Sequence, residues 1–267
     1  MISRIQKAFE NEKAFIAFVT GGDPNIEVTE KLIPKMAEAG ADLIEIGIPF
    51  SDPIAEGPVI QDADERALAA GTTTDSLFEM VKRVRTCVDV PLVFMTYINP
   101  VYTYGKEKFF KNCAESGIDG VIVPDVPFEE KKELADVCRK YDVALISMIA
   151  PTSKERIAMI AKEAEGFLYC VSSLGVTGVR DTITTDISSM IKEVRKVTDV
   201  PCAVGFGIAT PEQAKNMAAI SDGAIVGSAI VKLVAKYGEN CIEPVTEYVA
   251  AMKKGVMESM SVKERVS

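Results

Sequence analysis

Eight short apolar runs alternate with stretches of helical periodicity, and this alternation limits what the chain can fold into. The runs are Phe15–Thr20, Leu43–Gly47, Leu92–Tyr97, Gly120–Pro124, Ala144–Ile149, Phe167–Val171, Cys202–Gly205 and Ala224–Gly227. Helical patterns separate them at Glu27–Ala39, Asp75–Thr86, Lys106–Ser116, Glu129–Tyr141, Lys154–Ala164, Asp186–Thr198 and Pro211–Ala219. Strands joined through helices run parallel, and parallel strands buried on both faces read as continuous apolar runs. Eight such units in 267 residues predict an α/β fold, a closed (β/α)8 TIM barrel. An open, doubly wound sheet is the competing arrangement. It needs a glycine-rich dinucleotide turn after the first strand, and Thr20-Gly21-Gly22-Asp23-Pro24 matches that poorly.

A weak internal repeat supports the barrel. Ala39-Gly40-Ala41-Asp42-Leu43-Ile44, Ser116-Gly117-Ile118-Asp119-Gly120-Val121 and Ile220-Ser221-Asp222-Gly223-Ala224-Ile225 each join a helix end to a strand through a small residue and an Asp. A second recurring unit, Asp89-Val90-Pro91-Leu92 and Asp199-Val200-Pro201-Cys202, marks strand entry. No clear linker interrupts the pattern, so one domain over residues 1–267 is expected. Met1–Glu12 reads as an extra amphipathic N-terminal helix, and the charged segment Gly255–Ser267 is expected to fray.

A net charge of −9 argues against nucleic acid or an anionic membrane as partner. No apolar run reaches the roughly 18 residues of a membrane span. The N-terminus lacks the apolar core of a secretory signal, so a cytoplasmic location is expected. The six cysteines are widely spaced without a C-x-x-C pair and read as free, mostly buried thiols. The chain has no histidine. Acid–base chemistry therefore falls to Glu, Asp, Tyr, Lys or Cys, and no metal site is expected.

Glu45 is the residue out of place. It interrupts the apolar run Leu43–Ile48, where an unpaired buried charge costs several kcal/mol. Strand alternation puts Leu43, Glu45 and Gly47 on one face and Ile44, Ile46 and Ile48 on the other. The branched set suits the outer helices, so Glu45 points into the barrel mouth, where such barrels carry their active sites. A second carboxylate, Glu56, follows in a loop stiffened by Pro49, Pro53 and Pro58. Two carboxylates, one on a strand and one on a loop, suit proton transfer at two atoms of one substrate.

Glycine-rich turns follow the seventh and eighth strands, at Gly205-Phe206-Gly207-Ile208 and Gly227-Ser228-Ala229-Ile230. Glycines there admit an anion to the backbone N–H groups, and Ser228 would open a helix whose N-terminus attracts phosphate. The segment Ser172–Arg180 is small and Gly/Thr-rich, as a lid would be. Phe18, Tyr97, Tyr169 and Phe206, at strand ends, suit the walls of an apolar ring pocket.

Taken together these segments resemble the tryptophan synthase alpha chain family. The resemblance rests on Glu45-Ile46-Gly47-Ile48-Pro49-Phe50-Ser51-Asp52-Pro53 continuing to Glu56-Gly57-Pro58, on Phe18-Val19-Thr20 and Gly22-Asp23-Pro24, and on Gly175-Val176-Thr177-Gly178 and Gly205-Phe206-Gly207-Ile208. It implies cleavage of indole-3-glycerol phosphate to indole and glyceraldehyde 3-phosphate. Glu45 then matches the residue that protonates the indole ring carbon, and Glu56 the carboxylate at the indole N–H. Phosphate would be held by Gly178, Val179, Gly207, Gly227 and Ser228. Phe18, Tyr169 and Phe206 would surround indole, and Thr177 would meet the loop carboxylate on lid closure. The family usually has Asp where this chain has Glu56, and the extra methylene changes where the carboxylate sits.

The resemblance also implies a partner, a beta chain carrying pyridoxal phosphate, in an alpha2-beta2 tetramer. It gives this chain no cofactor of its own. The Pro49–Pro58 loop with Asn99–Tyr104 would form the docking face. Three other readings compete: a stand-alone lyase releasing indole, a weakly catalytic allosteric subunit, and another phosphate-binding barrel such as a sugar-phosphate isomerase. Sugar phosphates need more polar contacts than the apolar surroundings of Glu45 offer.

Overall fold

The computed structural model describes residues 3–10, 12–171, 187–205 and 207–260. Eight parallel strands close a barrel in sequence order: β1 (Ala14–Thr20), β2 (Leu43–Gly47), β3 (Leu92–Met95), β4 (Gly120–Ile122), β5 (Ala144–Ile149), β6 (Leu168–Val171), β7 (Cys202–Gly205) and β8 (Gly223–Val226). β8 pairs back onto β1, with Ala14 opposite Gly223, which rules out the open sheet. The helices in chain order are α1 (Arg4–Lys7), α2 (Ile26–Glu38), α3 (Pro58–Ala69), α4 (Thr74–Val84), α5 (Ile98–Tyr104) and α6 (Lys106–Ser116). They continue with α7 (Lys132–Lys140), α8 (Lys154–Lys162), α9 (Ile187–Arg195), α10 (Pro211–Ile220), α11 (Ser228–Tyr237) and α12 (Ile242–Glu258).

Alternation along the strands sorts two cores. Ile16, Leu43, Val93, Ile122, Ile146, Ala203 and Ile225 point inward and fill the barrel. Phe15, Ile44, Ile46, Phe94 and Val121 point outward against the helices. The inward positions are large and branched on most strands, so the interior is packed and the open end is confined to the C-terminal mouth.

The repeated Asp has a structural use. Asp42, Asp119 and Asp222 each precede an even-numbered strand and accept a hydrogen bond from the first N–H groups of the strand before it. Phe15 N donates to Asp42 at 2.6 Å, Leu92 N to Asp119 at 2.9 Å, and Cys202 N to Asp222 at 2.7 Å. Each carboxylate also meets a cation: Lys253, Arg85 with Arg4, and Arg195 in turn. The repeat is a clamp at the barrel floor that fixes the register of neighbouring strands.

Three expectations need correction. The N-terminal helix spans a single turn, Arg4–Lys7, rather than Met1–Glu12. A Ser3–Gln6 capping box starts it, and Ile5 is buried in the barrel floor. Phe9 follows against Phe167, ring centroids 5.7 Å apart, and the intervening residues are largely exposed. Nor does the tail fray from Gly255. α12 runs through Glu258, and a Cβ at Gly255 would lie 2.4 Å from the Pro211 carbonyl, so the glycine lets α12 press onto the start of α10. Residues 261–267 lie outside the described residues. Finally, β3 and β4 stop short of Tyr97 and Pro124: Tyr97 caps α5, and Pro124 has no N–H to give a ladder.

Five cysteines are buried and Cys87 is exposed, all of them free thiols. Among the described residues no helix is long and apolar enough to cross a membrane, and no cluster of His, Cys, Asp or Glu is arranged to hold a metal ion.

Candidate active site

Glu45 lies at the third position of β2, pointing inward between Leu43 below and Gly47 above. It is fully buried, and neither carboxylate oxygen has a hydrogen-bond partner among the described residues. Among the described residues, therefore, no neighbouring donor satisfies the buried acid. Burial alone raises its pKa to about 8. A carboxylic acid kept neutral at physiological pH by an apolar pocket is a proton donor in waiting.

Phe18 and Tyr169 stand beside it, and glycines make room for both rings. Phe18 pairs across the sheet with Glu45. A Cβ at Gly47 would lie 2.8 Å from Phe18 Cζ, and one at Gly227 would lie 3.2 Å from Cδ1. The ring thus spans from the end of β2 to the turn after β8. A Cβ at Gly205 would lie 2.6 Å from the Tyr169 ring and hydroxyl. Tyr169 is close enough to Glu45 that the carboxylate charge adds to burial in pushing its phenol well above the usual value. Phe206, the third aromatic expected here, lies outside the described residues.

The turn after β8 opens α11. Gly227 is its N-cap, with no side-chain cap, and the first turn holds no acidic residue. α10, by contrast, is closed by a Thr210–Gln213 capping box. Among the described residues no side chain caps the α11 N–H groups, which with Ser228 suit an anion. Gly207, at the end of β7, has φ +77°, a backbone conformation open to glycine and costly for most residues. Gly178, Val179 and the lid residue Thr177 lie outside the described residues.

Glu56 comes from the loop between β2 and α3. Tyr97 holds that loop: its hydroxyl accepts from Ala55 N at 3.1 Å, and its ring packs on Phe50 with centroids 5.5 Å apart. Burial raises the Glu56 pKa, while the Asp64 carboxyl and the Tyr97 hydroxyl, hydrogen-bonded to it, pull the other way. Its Oε2 is buried with no partner among the described residues. Asp52, in the same loop, is exposed and bonded to Ser51, a solvated turn residue.

Asp64 was not among the residues singled out from the sequence. α3 buries Ile60, Ala63, Asp64 and Ala67, the i, i+3, i+4, i+7 stripe of an amphipathic helix. A charge within that stripe is the signal that marks it. Asp23 is likewise buried, in a bidentate pair with Arg66 of α3 at 2.8 Å, which ties the turn after β1 to the same helix.

The family model for the tryptophan synthase alpha chain matches residues 5–260. The chain is 45% identical over 260 residues to the tryptophan synthase alpha chain of Caldanaerobacter subterraneus subsp. tengcongensis, covering 95% of this chain and 99% of that one. It is 52% identical over 230 residues to that of Lactiplantibacillus plantarum, covering 86% and 87%. The crystal structure of the alpha chain from Legionella pneumophila superposes with a TM-score of 0.86 at 34% identity, covering 96% of this chain and 98% of that one. On these grounds, and with a buried acid at the mouth of an eight-stranded barrel, the chain belongs to the tryptophan synthase alpha chain family.

Proposed function

We infer that Glu45 and Glu56 divide the proton transfers of this family's reaction, the reverse-aldol cleavage of indole-3-glycerol phosphate to indole and glyceraldehyde 3-phosphate. The chain is a carbon–carbon lyase of tryptophan biosynthesis. The observation that carries the division of labour is the neutral Glu45 beside Phe18 and Tyr169, without a hydrogen-bond partner among the described residues.

Glu45 gives its proton to the indole ring carbon bearing the side chain, while Glu56 takes the proton of the ring N–H. The ring is then an electron sink. Glu45, now anionic, removes the proton of the adjacent side-chain hydroxyl. The carbonyl of glyceraldehyde 3-phosphate forms, the carbon–carbon bond breaks, and its electrons return through the ring to nitrogen, which regains its proton from Glu56. Both carboxyl groups end as they began, and no water is consumed. Oε2 of Glu56, without a partner among the described residues, is the acceptor for the N–H.

Phe18, Tyr169 and Phe206 wall the indole ring. Gly207, Gly227 and Ser228, with Gly178 and Val179, hold the phosphate, and Thr177 closes the lid onto Glu56. The reaction asks nothing of a metal or organic cofactor in this chain. The family implies a beta-chain partner. We place pyridoxal phosphate in that partner, an alpha2-beta2 tetramer in the assembly, one domain over residues 1–267, and the cytoplasm as compartment. We place the docking face on the Pro49–Pro58 loop, where Ile54 is 72% exposed, and on Asn99–Tyr104, where Tyr102 is 46% exposed.

Indole release from indole-3-glycerol phosphate, measured for the chain alone and with a beta chain, tests this. Slow release stimulated by the partner is expected. Rapid release alone, unchanged by the partner, makes it a stand-alone lyase. No release in either case, with binding retained, makes it a regulatory subunit.

A further inference from the structure

Asp64 reaches both ends of the loop that carries Glu56. It sits on the buried stripe of α3, 3% exposed. The N–H of Phe50, where the loop begins, donates to it, and the Glu56 carboxyl, where the loop ends, is hydrogen-bonded to it. α3 itself is anchored by Arg66 on Asp23, and Gln61 Nε2 donates to the Glu56 carbonyl at 2.8 Å. The helix is thus a fixed platform beneath the loop.

Two carboxylates are both acceptors and cannot bond to each other unless one carries a proton. Two adjacent anions in a half-buried site are also strongly disfavoured. The groups facing the pair are the Tyr97 hydroxyl, the Phe50 N–H and, further off, the Asp23 charge neutralised by Arg66. No cation contacts either carboxyl among the described residues. The proton therefore resides within the pair.

We propose that Asp64 is a positioning residue of this site: as a neutral acid it donates to Glu56, holding that carboxylate anionic and aimed at the substrate nitrogen. The deeper member keeps the proton. Burial and the neighbouring Glu56 charge raise the Asp64 pKa to about 9, while Glu56 has both Asp64 and the Tyr97 hydroxyl as hydrogen-bond partners. The arrangement answers a requirement of the reaction. A base at the indole N–H must stay ionised in an apolar setting, and a neutral acid beside it supplies the stabilising donor without competing cationic charge. The inference rests on Glu56 acting as that base.

The test is the pH dependence of indole formation by the full chain for wild type, Asp64→Asn and Asp64→Leu. Asn keeps a neutral donor, so kcat near pH 7 is expected within a few-fold of wild type. Leu removes the donor, and kcat should fall roughly ten- to a hundredfold with KM little changed. Above about pH 8 wild-type activity falls as Glu45 ionises, and above about pH 9 it falls more steeply as Asp64 follows. Asp64→Asn should lose the steeper limb and keep the first. An Asn variant as impaired as Leu, or one that retains the steeper limb, overturns the assignment. So does a Leu variant with wild-type kcat. If Leu does not fold, as judged by circular dichroism, the Asn profile decides alone. Glu56→Gln separates the two ideas: full activity in that variant removes Glu56 as the base, whereas inactive Glu56→Gln with an unaffected Asp64→Leu removes only Asp64.

Discussion

The Phe18 ring stands where a side chain on Gly47 would be, its Cζ 2.8 Å from the position of a Cβ there. The contact couples the wall of the ring pocket to the strand that carries Glu45. Because Gly47 has no positive φ, substitution there acts through volume and not through backbone strain. Gly47→Ala should push Phe18 into the mouth and raise KM for indole-3-glycerol phosphate about tenfold, an effect of roughly 1.4 kcal/mol. Adding Phe18→Leu should recover part of that loss. A double variant no better than Gly47→Ala alone would show that the methyl acts elsewhere.

Glu45→Gln should reduce kcat by roughly 10²–10⁴-fold, the usual worth of a positioned acid–base group, while leaving ligand affinity largely intact. Gln preserves shape and can fill the same buried space, so the loss is chemical. Residual turnover within tenfold of wild type in rapid-quench assays would move the proton donor to another group.

The same residue makes stability depend on pH. An unfolded Glu45 ionises near 4.5, whereas the folded one holds its proton to about 8. Between these values the folded chain binds the extra proton, so stability falls as pH rises through the window and levels off above it. The contribution over the window is at most about 5 kcal/mol. Glu45→Gln lacks this slope. Urea titrations at pH 5 and pH 8 should show wild type losing ground against the variant; parallel behaviour would mean that Glu45 is solvated or paired in solution.

The strands were readable because parallel strands buried on both faces concentrate apolar residues, and Glu45 was readable as the exception within one. β2, β5 and β7 have the boundaries that the apolar runs predict. What stayed hidden needed the folded chain. Asp64 meets Glu56 from the second turn of α3, and nothing in the local pattern names its partner. Asp42, Asp119 and Asp222 announced strand entry, yet only the closed barrel shows each capping the strand before. The short α1 had the periodicity of a longer helix, but amphipathicity lengthens a helix only where its apolar face finds a surface, and Ile5 and Phe9 found theirs at once.

Asp119 is the most loaded of the floor clamps. It accepts from Leu92 N and pairs with Arg85 and Arg4, and Arg85 also donates to the Gly117, Val88 and Val90 carbonyls. Burial lowers the Arg85 pKa, and the Asp119 charge opposes that shift. Asp119→Ala strands a buried guanidinium and an unpaired N–H, a change that costs about 3–5 kcal/mol. Chemical denaturation should show this as a lower midpoint with unchanged slope. A loss below 1 kcal/mol would mean that the three carbonyls suffice for Arg85.

Ser228 tests the anion end of the pocket. It is the first residue of α11, whose N–H groups have no side-chain cap among the described residues and no carboxylate in the first turn. A phosphate there is bound mainly by backbone N–H groups and the helix end, with the hydroxyl adding one donor. Two substitutions therefore separate. Ser228→Ala removes one hydrogen bond and should raise KM only several-fold, near 1 kcal/mol. Ser228→Asp places a negative charge where the phosphate would sit and takes up the favourable field of the helix N-terminus itself, so KM should rise a hundredfold or more. kcat at saturation should change little, because the reacting carbon lies at the other end of the substrate. Inhibition by inorganic phosphate should weaken in the same order. Equal KM values for the Asp and Ala variants would place the phosphate away from α11, and with it the orientation of the substrate across Phe18.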